Sequence, residues 1–318
     1  MRPVFSAPIV LGAGGRLGSQ VESRLARISP ATVGATRAEI DITDYFRLCE
    51  EFERLEPSLV VNCAALADVD LCEAMPELAL RVNAEGAANV ARACGGVGAR
   101  LLHLSTDCVF DGSKPAPYLE EDEPAPLSRY GESKWEGEKR VLDGYPQALV
   151  VRTSWLFGPG GGDFVERTLA AARRERRVGG VVDQRGSPTY TPDLAEALAA
   201  LAESAAAGVV HFANAGSCTR HEFALRTVDL AGLGDGIERR PQRWADLGRP
   251  ARRPANSALA TERYTRITSL MPRSWEEALA EHLAAPGALA PAPTHQPSDP
   301  GDGAADRRAR RPGRRGQP

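Results

Sequence analysis

Lysine is almost missing from this chain: Lys114, Lys134 and Lys139 stand among 39 basic residues, the rest arginine. Long apolar runs are missing too. Nothing approaches the ~18 apolar residues that cross a bilayer, and "APIVLGAGG" is broken by glycine too early to serve as a signal-peptide core. These absences point to a cytoplasmic protein without a membrane partner. Cys49, Cys63, Cys72, Cys94, Cys108 and Cys218 contain no close Cys-x-x-Cys pair, so they read as reduced thiols rather than a disulfide framework. The five histidines show no metal-ligand spacing, and no metal is assigned. No internal repeat occurs.

What is present is a soluble globular balance, 42% hydrophobic and 25% charged, in 318 residues. That length holds one large domain or two ordinary ones. The net charge of −3 is uneven. From Ala285 onward the chain is rich in Pro, Gly, Ala and Arg and has no apolar periodicity, so 285–318 reads as a disordered tail. Its arginines suggest nucleic-acid or membrane tethering as an alternative, but no aromatic interleaving or fold accompanies them, and neither partner is expected.

The first 150 residues alternate apolar runs with amphipathic stretches. Candidate strands are "PIVLG" (8–12), "ATVGA" (31–35), "SLVVN" (58–62), "ARLLHLS" (99–105) and "QALVVRTS" (147–154). Continuously apolar strands separated by helices indicate a parallel sheet covered on both faces. The expected architecture is α/β: a Rossmann-type doubly wound parallel sheet with a smaller, interleaved C-terminal substrate lobe. Residues 1–155 form the cofactor domain and 156–284 mainly the substrate lobe. Segments near 178–183 and 208–214 are expected to return to the first domain. Helices are expected at 163–177 and 192–205, in "RHEFALRTVDLAG" and in "SWEEALAEHLA".

"VLGAGGRLGSQV" follows the first strand and opens the first helix. Gly12, Gly15 and Gly18 suit a tight turn that lets backbone N–H groups approach a pyrophosphate, with Arg16 and Leu17 inside the loop. The second strand runs into Thr36 and Arg37, with no carboxylate before Glu39. An arginine there welcomes a 2′-phosphate, and Arg16 adds a second cation, which favours NADPH over NADH. Asp41 and Ile42 are expected to flank the adenine, with Ala64 and Ala65 on the cofactor side of the third strand.

"RYGESKWEGEK" sets Tyr130 and Lys134 one turn apart on a helix face. Upstream, "HLSTDCVFDG" ends the fourth strand with Ser105, Thr106 and Asp107, at the edge where a doubly wound sheet places ligands. The set divides a ketone reduction between residues. Tyr130 protonates the developing alkoxide while Thr106 orients the carbonyl. Lys134 and the oxidised nicotinamide ring would both lower the phenol pKa, and Lys134 would also hold the nicotinamide ribose.

A long ordered series of stretches, from "VNCAALADVDLCE" through "LLHLSTDCVFDG" and "VVRTSWLFGPGGGDFV" to "ARRPANSAL", resembles the dTDP-4-dehydrorhamnose reductase family of the extended short-chain dehydrogenase/reductases. The resemblance covers roughly 1–284. It implies reduction of the 4-keto group of a dTDP-linked 4-keto-6-deoxyhexose, with Thr106, Tyr130 and Lys134 catalytic. It also implies sugar contacts from Asp107, Cys108 and Trp155, and a nucleotide end held by Arg252, Arg253 and Asn256. A homodimer is compatible with it.

Two positions depart from the family pattern, which usually has tyrosine at Cys108 and threonine at Ala67. Both border the expected sugar pocket, so they bear on which sugar is read. Within the class, a reductase making another deoxysugar such as dTDP-dihydrostreptose is the alternative. A non-catalytic NADP-binding regulatory subunit is the alternative outside it.

Overall fold

The computed structural model describes residues 5–285. The expected disordered tail therefore lies, apart from Ala285, outside the described residues. The apolar runs become β1 (Ile9–Leu11), β2 (Val33–Ala35), β3 (Leu59–Asn62), β4 (Arg100–Thr106) and β5 (Leu149–Thr153). Shorter strands follow: β6 (Leu156–Phe157), β7 (Arg177–Val181), β8 (Arg185–Gly186), β9 (Thr189–Tyr190), β10 (Gly208–His211), β11 (Cys218–Thr219) and β12 (Glu238–Gln242). The helices are α1 (Arg16–Ile28), α2 (Tyr45–Leu55), α3 (Val69–Ala74), α4 (Pro76–Leu80), α5 (Ala87–Val97), α6 (Arg129–Gly144), α7 (Phe164–Glu175), α8 (Thr191–Glu203), α9 (Arg220–Leu230), α10 (Glu262–Thr268) and α11 (Trp275–Ala284).

Six strands form one parallel sheet in the order β10-β5-β4-β3-β1-β2. It is a Rossmann-type doubly wound sheet. Alternation along the strands feeds two cores. Val10, Leu102 and Val151 face α1 and α8, whereas Ile9, Leu101 and Val150 face α2, α5 and α6. The chain leaves β1 for β2 on one side and returns to β3 on the other. That reversal opens a crevice at the carboxyl ends of these strands, the place where such sheets bind ligands.

After β5 the chain builds a smaller lobe around Phe157, Leu169, Phe223, Trp275 and Leu279. Here the structure corrects one expectation. The strand expected near 178–183 forms as β7, but it pairs with β12 in a separate two-stranded sheet instead of returning to the main one. Its sequence, "RVGGV", alternates exposed and buried residues at its start, unlike the fully buried central strands. β10, in contrast, enters the main sheet as the neighbour of β5. No helix among the described residues is long and apolar enough to cross a membrane.

Candidate active site

The glycine loop is built by close approach. Gly12 has φ +78°, and a Cβ there would lie 2.8 Å from the Ala64 nitrogen. A Cβ on Gly18 would lie 2.1 Å from the Gly12 carbonyl oxygen, so only glycine lets α1 start this near β1. Gly15 caps α1 without a side chain, leaving the first-turn N–H groups for an anion. Beside the loop is a cavity of about 330 Å³. Of the expected cofactor residues, Gly12, Gly15, Arg37, Asp41, Ile42, Ala64 and Ala65 line it. A glycine-lined cleft of this size at the switch point fits the adenosine and pyrophosphate half of a dinucleotide.

Other lining residues were not foreseen. Gly14, Thr36 and Ile40 lie within the same loops, while Leu78 and Val82 come from a helical stretch that reads simply as core. Leu17 packs into the core, and Gly18 serves the helix–strand contact rather than the cavity wall. Arg16 is turned elsewhere. Its Nη1 lies 3.4 Å from the Asp163 carboxylate and its Nη2 donates to the Gly161 carbonyl, so it does not supply the expected second cation in the cavity. Arg37 is largely exposed and pairs with Asp41 at 3.1 Å. Glu39 is spent on Thr36, accepting from its backbone N–H and hydroxyl, both at 2.8 Å; these bonds hold its pKa below the ordinary carboxylate value.

The second half of the site lies where β4 ends. Thr106 donates to Asp107 Oδ1 at 3.1 Å and accepts the Cys108 N–H at 3.1 Å. Asp107 is buried and also accepts from Ser154 Oγ at 2.8 Å and Ser257 Oγ at 2.5 Å. Burial pushes its pKa up against those bonds. α6 starts at Ser128, whose hydroxyl accepts the Gly131 N–H at 3.2 Å. Its next turns bring Tyr130 beside Thr106 and bury Lys134, whose Nζ donates to the Leu104 carbonyl at 2.7 Å.

The electrostatics correct a second expectation. Burial holds the Tyr130 phenol above its ordinary pKa, Cys108 adds to the rise, and the adjacent Thr106 hydroxyl works the other way. Lys134 is not what governs the phenol: its ammonium is committed to the Leu104 carbonyl, and desolvation pulls its own pKa down to about 8. Glu138, one turn further along α6, opposes that fall. Glu138 itself is clamped by Arg152 at 2.7 Å and by the Ser105 hydroxyl, which makes a buried polar floor under the helix.

The RmlD substrate binding domain family model matches residues 8–286. The chain belongs to this family. It is 44% identical over 285 residues to the dTDP-4-dehydrorhamnose reductase of Mycobacterium tuberculosis, covering 87% of this chain and 92% of that one. It is 41% identical over 284 residues to the Streptomyces griseus protein of the same name, covering 87% and 93%. Among solved structures, a Bacillus anthracis dTDP-4-dehydrorhamnose reductase in complex with NADP superposes with a TM-score of 0.82 at 34% identity, covering 87% of this chain and 98% of that one.

The substrate side of the site departs most from expectation. Trp155 follows β5 with φ +43°, a left-handed conformation that costs a bulky residue roughly 1–3 kcal/mol. Its ring presses on Gly186, where a Cβ would approach within 2.4 Å. Cys108 remains a thiol: burial and the neighbouring Asp107 push its pKa up to about 12, which removes it as a nucleophile. Arg253 lies 3.3 Å from Asp70, which Arg249 also pairs at 3.0 Å, and Arg252 is exposed. Asn256 gives its amide N–H groups to the carbonyls of Lys114 (2.7 Å) and Ala116 (3.2 Å) and accepts the Ala258 N–H at 3.2 Å. It ties two loops together rather than facing a nucleotide. Ser154 and Ser257, which hold Asp107, carry no local signal in the sequence, because their partner is distant along the chain.

Proposed function

We propose that the protein reduces the 4-keto group of dTDP-4-dehydro-L-rhamnose to give dTDP-L-rhamnose, using NADPH. The observation that carries this reading is the meeting of Thr106 and Tyr130, with Lys134 one turn along, at the carboxyl edge of the sheet beside the glycine-lined cleft. Family membership supports the substrate class, and the NADP held by the Bacillus anthracis relative supports the cofactor. The pyrophosphate is held by the Gly12–Gly18 loop and the start of α1, and Arg37 faces the 2′-phosphate. When bound, the reduced nicotinamide supplies the hydride that reaches the ketone carbon.

Every other part of the chemistry falls to side chains of this chain. Thr106 orients the substrate carbonyl, and Tyr130 gives its phenolic proton to the oxygen as charge develops there. A phenol whose pKa is raised is fully protonated at neutral pH, the form a donor needs, and an alkoxide is more basic than any phenolate. Lys134 keeps a cation at the ribose side of the cleft, and buried Asp107, Trp155 and Cys108 shape the sugar pocket. The reading implies a cytoplasmic enzyme of a small-molecule sugar nucleotide, without nucleic acid or membrane as partner.

Incubating the protein with NADPH and dTDP-4-dehydro-L-rhamnose, with the product identified by NMR, tests this directly. Tyr130→Phe should lower kcat by roughly 10²–10⁴-fold and leave NADPH affinity within about twofold. An unchanged kcat would remove Tyr130 from the role of proton donor. Tight NADPH binding without turnover of any dTDP-4-keto sugar would favour a non-catalytic module. Cys108 and Ala67 stand where the family usually has bulkier or hydroxylated residues, so a different reduced deoxysugar, such as dTDP-dihydrostreptose, is the outcome that would redirect the substrate assignment.

A further inference from the structure

Arg220 takes no part in the chemistry assigned to Thr106, Tyr130 and Lys134. It opens α9 directly after the Thr219 cap, and its guanidinium carbon lies 3.6 Å from the centroid of the Trp155 ring. The Phe164 ring centroid is 5.2 Å away. Of the other arginines on this side, Arg185 reaches Glu222 at 3.4 Å, Arg239 reaches Asp229 at 3.1 Å and Arg253 reaches Asp70 at 3.3 Å. Arg167, whose charge Arg220 feels, donates to the Gly162 carbonyl. Among the described residues the Arg220 side chain has no ion pair and donates no hydrogen bond; its contacts are the two aromatic faces.

The charge it feels most is that of Asp107, yet the two do not join. The Asp107 oxygens are taken by the hydroxyls of Thr106, Ser154 and Ser257. Arg220 thus stands near Asp107, the neighbour of the catalytic threonine, as a cation without an ion pair among the described residues. Burial lowers its pKa to about 10, so it stays charged at neutral pH. A partly buried guanidinium without an ion-pair partner is costly; the two aromatic faces offset part of that cost, and an arriving anion offsets more.

Its support is equally specific. Trp155 is fixed in a left-handed conformation with Gly186 behind it, so the ring is a rigid platform. A guanidinium lying on an aromatic face keeps its in-plane N–H edge free, the geometry that grips two phosphate oxygens at once. The arginine pair expected for the anionic end is less suited. Arg253 shares Asp70 with Arg249, and Arg252 is exposed to water, where such a pair contributes little.

We infer that Arg220, braced on Trp155, is the anchor for the diphosphate of the sugar-nucleotide substrate. The inference rests on the proposed substrate class, but its test needs no turnover. With the full-length protein saturated with NADP⁺, calorimetry is run with dTDP and with thymidine, which lacks phosphates, for the wild type, Arg220→Met and Arg220→Lys. NADPH affinity in each variant reports whether the fold survives.

Arg220→Met should weaken dTDP roughly 10- to 100-fold, the range expected for a charge-assisted bidentate contact. Thymidine and NADPH should stay within about twofold of wild type. Arg220→Lys should fall between, since it keeps the charge and loses the fork. Equal dTDP affinity in wild type and Arg220→Met would overturn the assignment. So would an equal loss of dTDP and thymidine, which would mark damage to the pocket. If the wild type binds dTDP through Arg220 yet reduces no dTDP-4-keto sugar, the proposed reaction fails while the diphosphate anchor stands.

Discussion

Gly131 links the packing of α6 to the chemistry, and adding one methyl group there tests the link. A Cβ at this position would sit 2.2 Å from the Cys108 carbonyl oxygen and 2.9 Å from the Pro126 Cβ. The oxygen belongs to backbone just after Thr106, so it has no flexible side chain to move aside. Reaching an ordinary contact of 3.4 Å requires the start of α6 to shift by about 1.2 Å. Tyr130 is the preceding residue and moves with it, away from Thr106. A misplacement of about 1 Å at a reacting group lowers turnover by roughly 10²-fold, and overpacking of this kind costs roughly 1–3 kcal/mol of stability.

Gly131→Ala should therefore lower kcat about 10²-fold while the glycine-loop cleft, built from other elements, keeps its NADPH affinity. Steady-state kinetics, a fluorescence titration with NADPH and a urea unfolding curve measure the three quantities separately. A kcat within about threefold of wild type would refute the reasoning, because it would mean that the Thr106–Tyr130 spacing does not limit the reaction.

Two more outcomes follow from buried charges. With the Lys134 pKa drawn down to about 8, the ammonium is lost as pH rises through that value, so kcat/KM should fall above about pH 8. Unfolded lysine keeps its proton to a higher pH, so from this group stability rises with pH across that window, and the decline cannot be charged to its unfolding the protein. A flat profile to about pH 9.5 would count against a working cation at Lys134. Separately, Glu138→Gln strands Arg152, whose side chain is 4% exposed, and should cost roughly 3–5 kcal/mol in a thermal or urea melt. A change under about 1 kcal/mol would show that water or another group replaces the carboxylate.

The parts legible in the sequence are those encoded locally. The five early strands announce themselves as apolar runs, and Gly12, Gly15 and Gly18 mark a turn whose close contacts leave no alternative residue. Tyr130 and Lys134 share a face because a helix repeats every 3.6 residues. What escaped depends on residues far apart in the chain. Arg220 looks like any helix-start arginine in a chain rich in arginine, and only the fold lays it on Trp155. Ser257 meets Asp107, and Arg152 meets Glu138, through packing no local window contains. The expected return of the segment near 178–183 to the first domain fails for the same reason: its partner, β12, lies far downstream with every residue exposed and no strand-like alternation.

The late arrival of β10 also governs how the molecule is born. β5 has every residue buried in the finished fold, and the strand that completes its outer side is synthesised only after α7 and α8. At ~5–20 residues per second, the nascent chain presents an apolar, unpaired edge for a few seconds. During that interval the edge is open to a neighbouring chain on the same message. The main sheet is therefore complete only once α7 and α8 have been made, and its edge at β5 is open while the small lobe is still emerging from the ribosome.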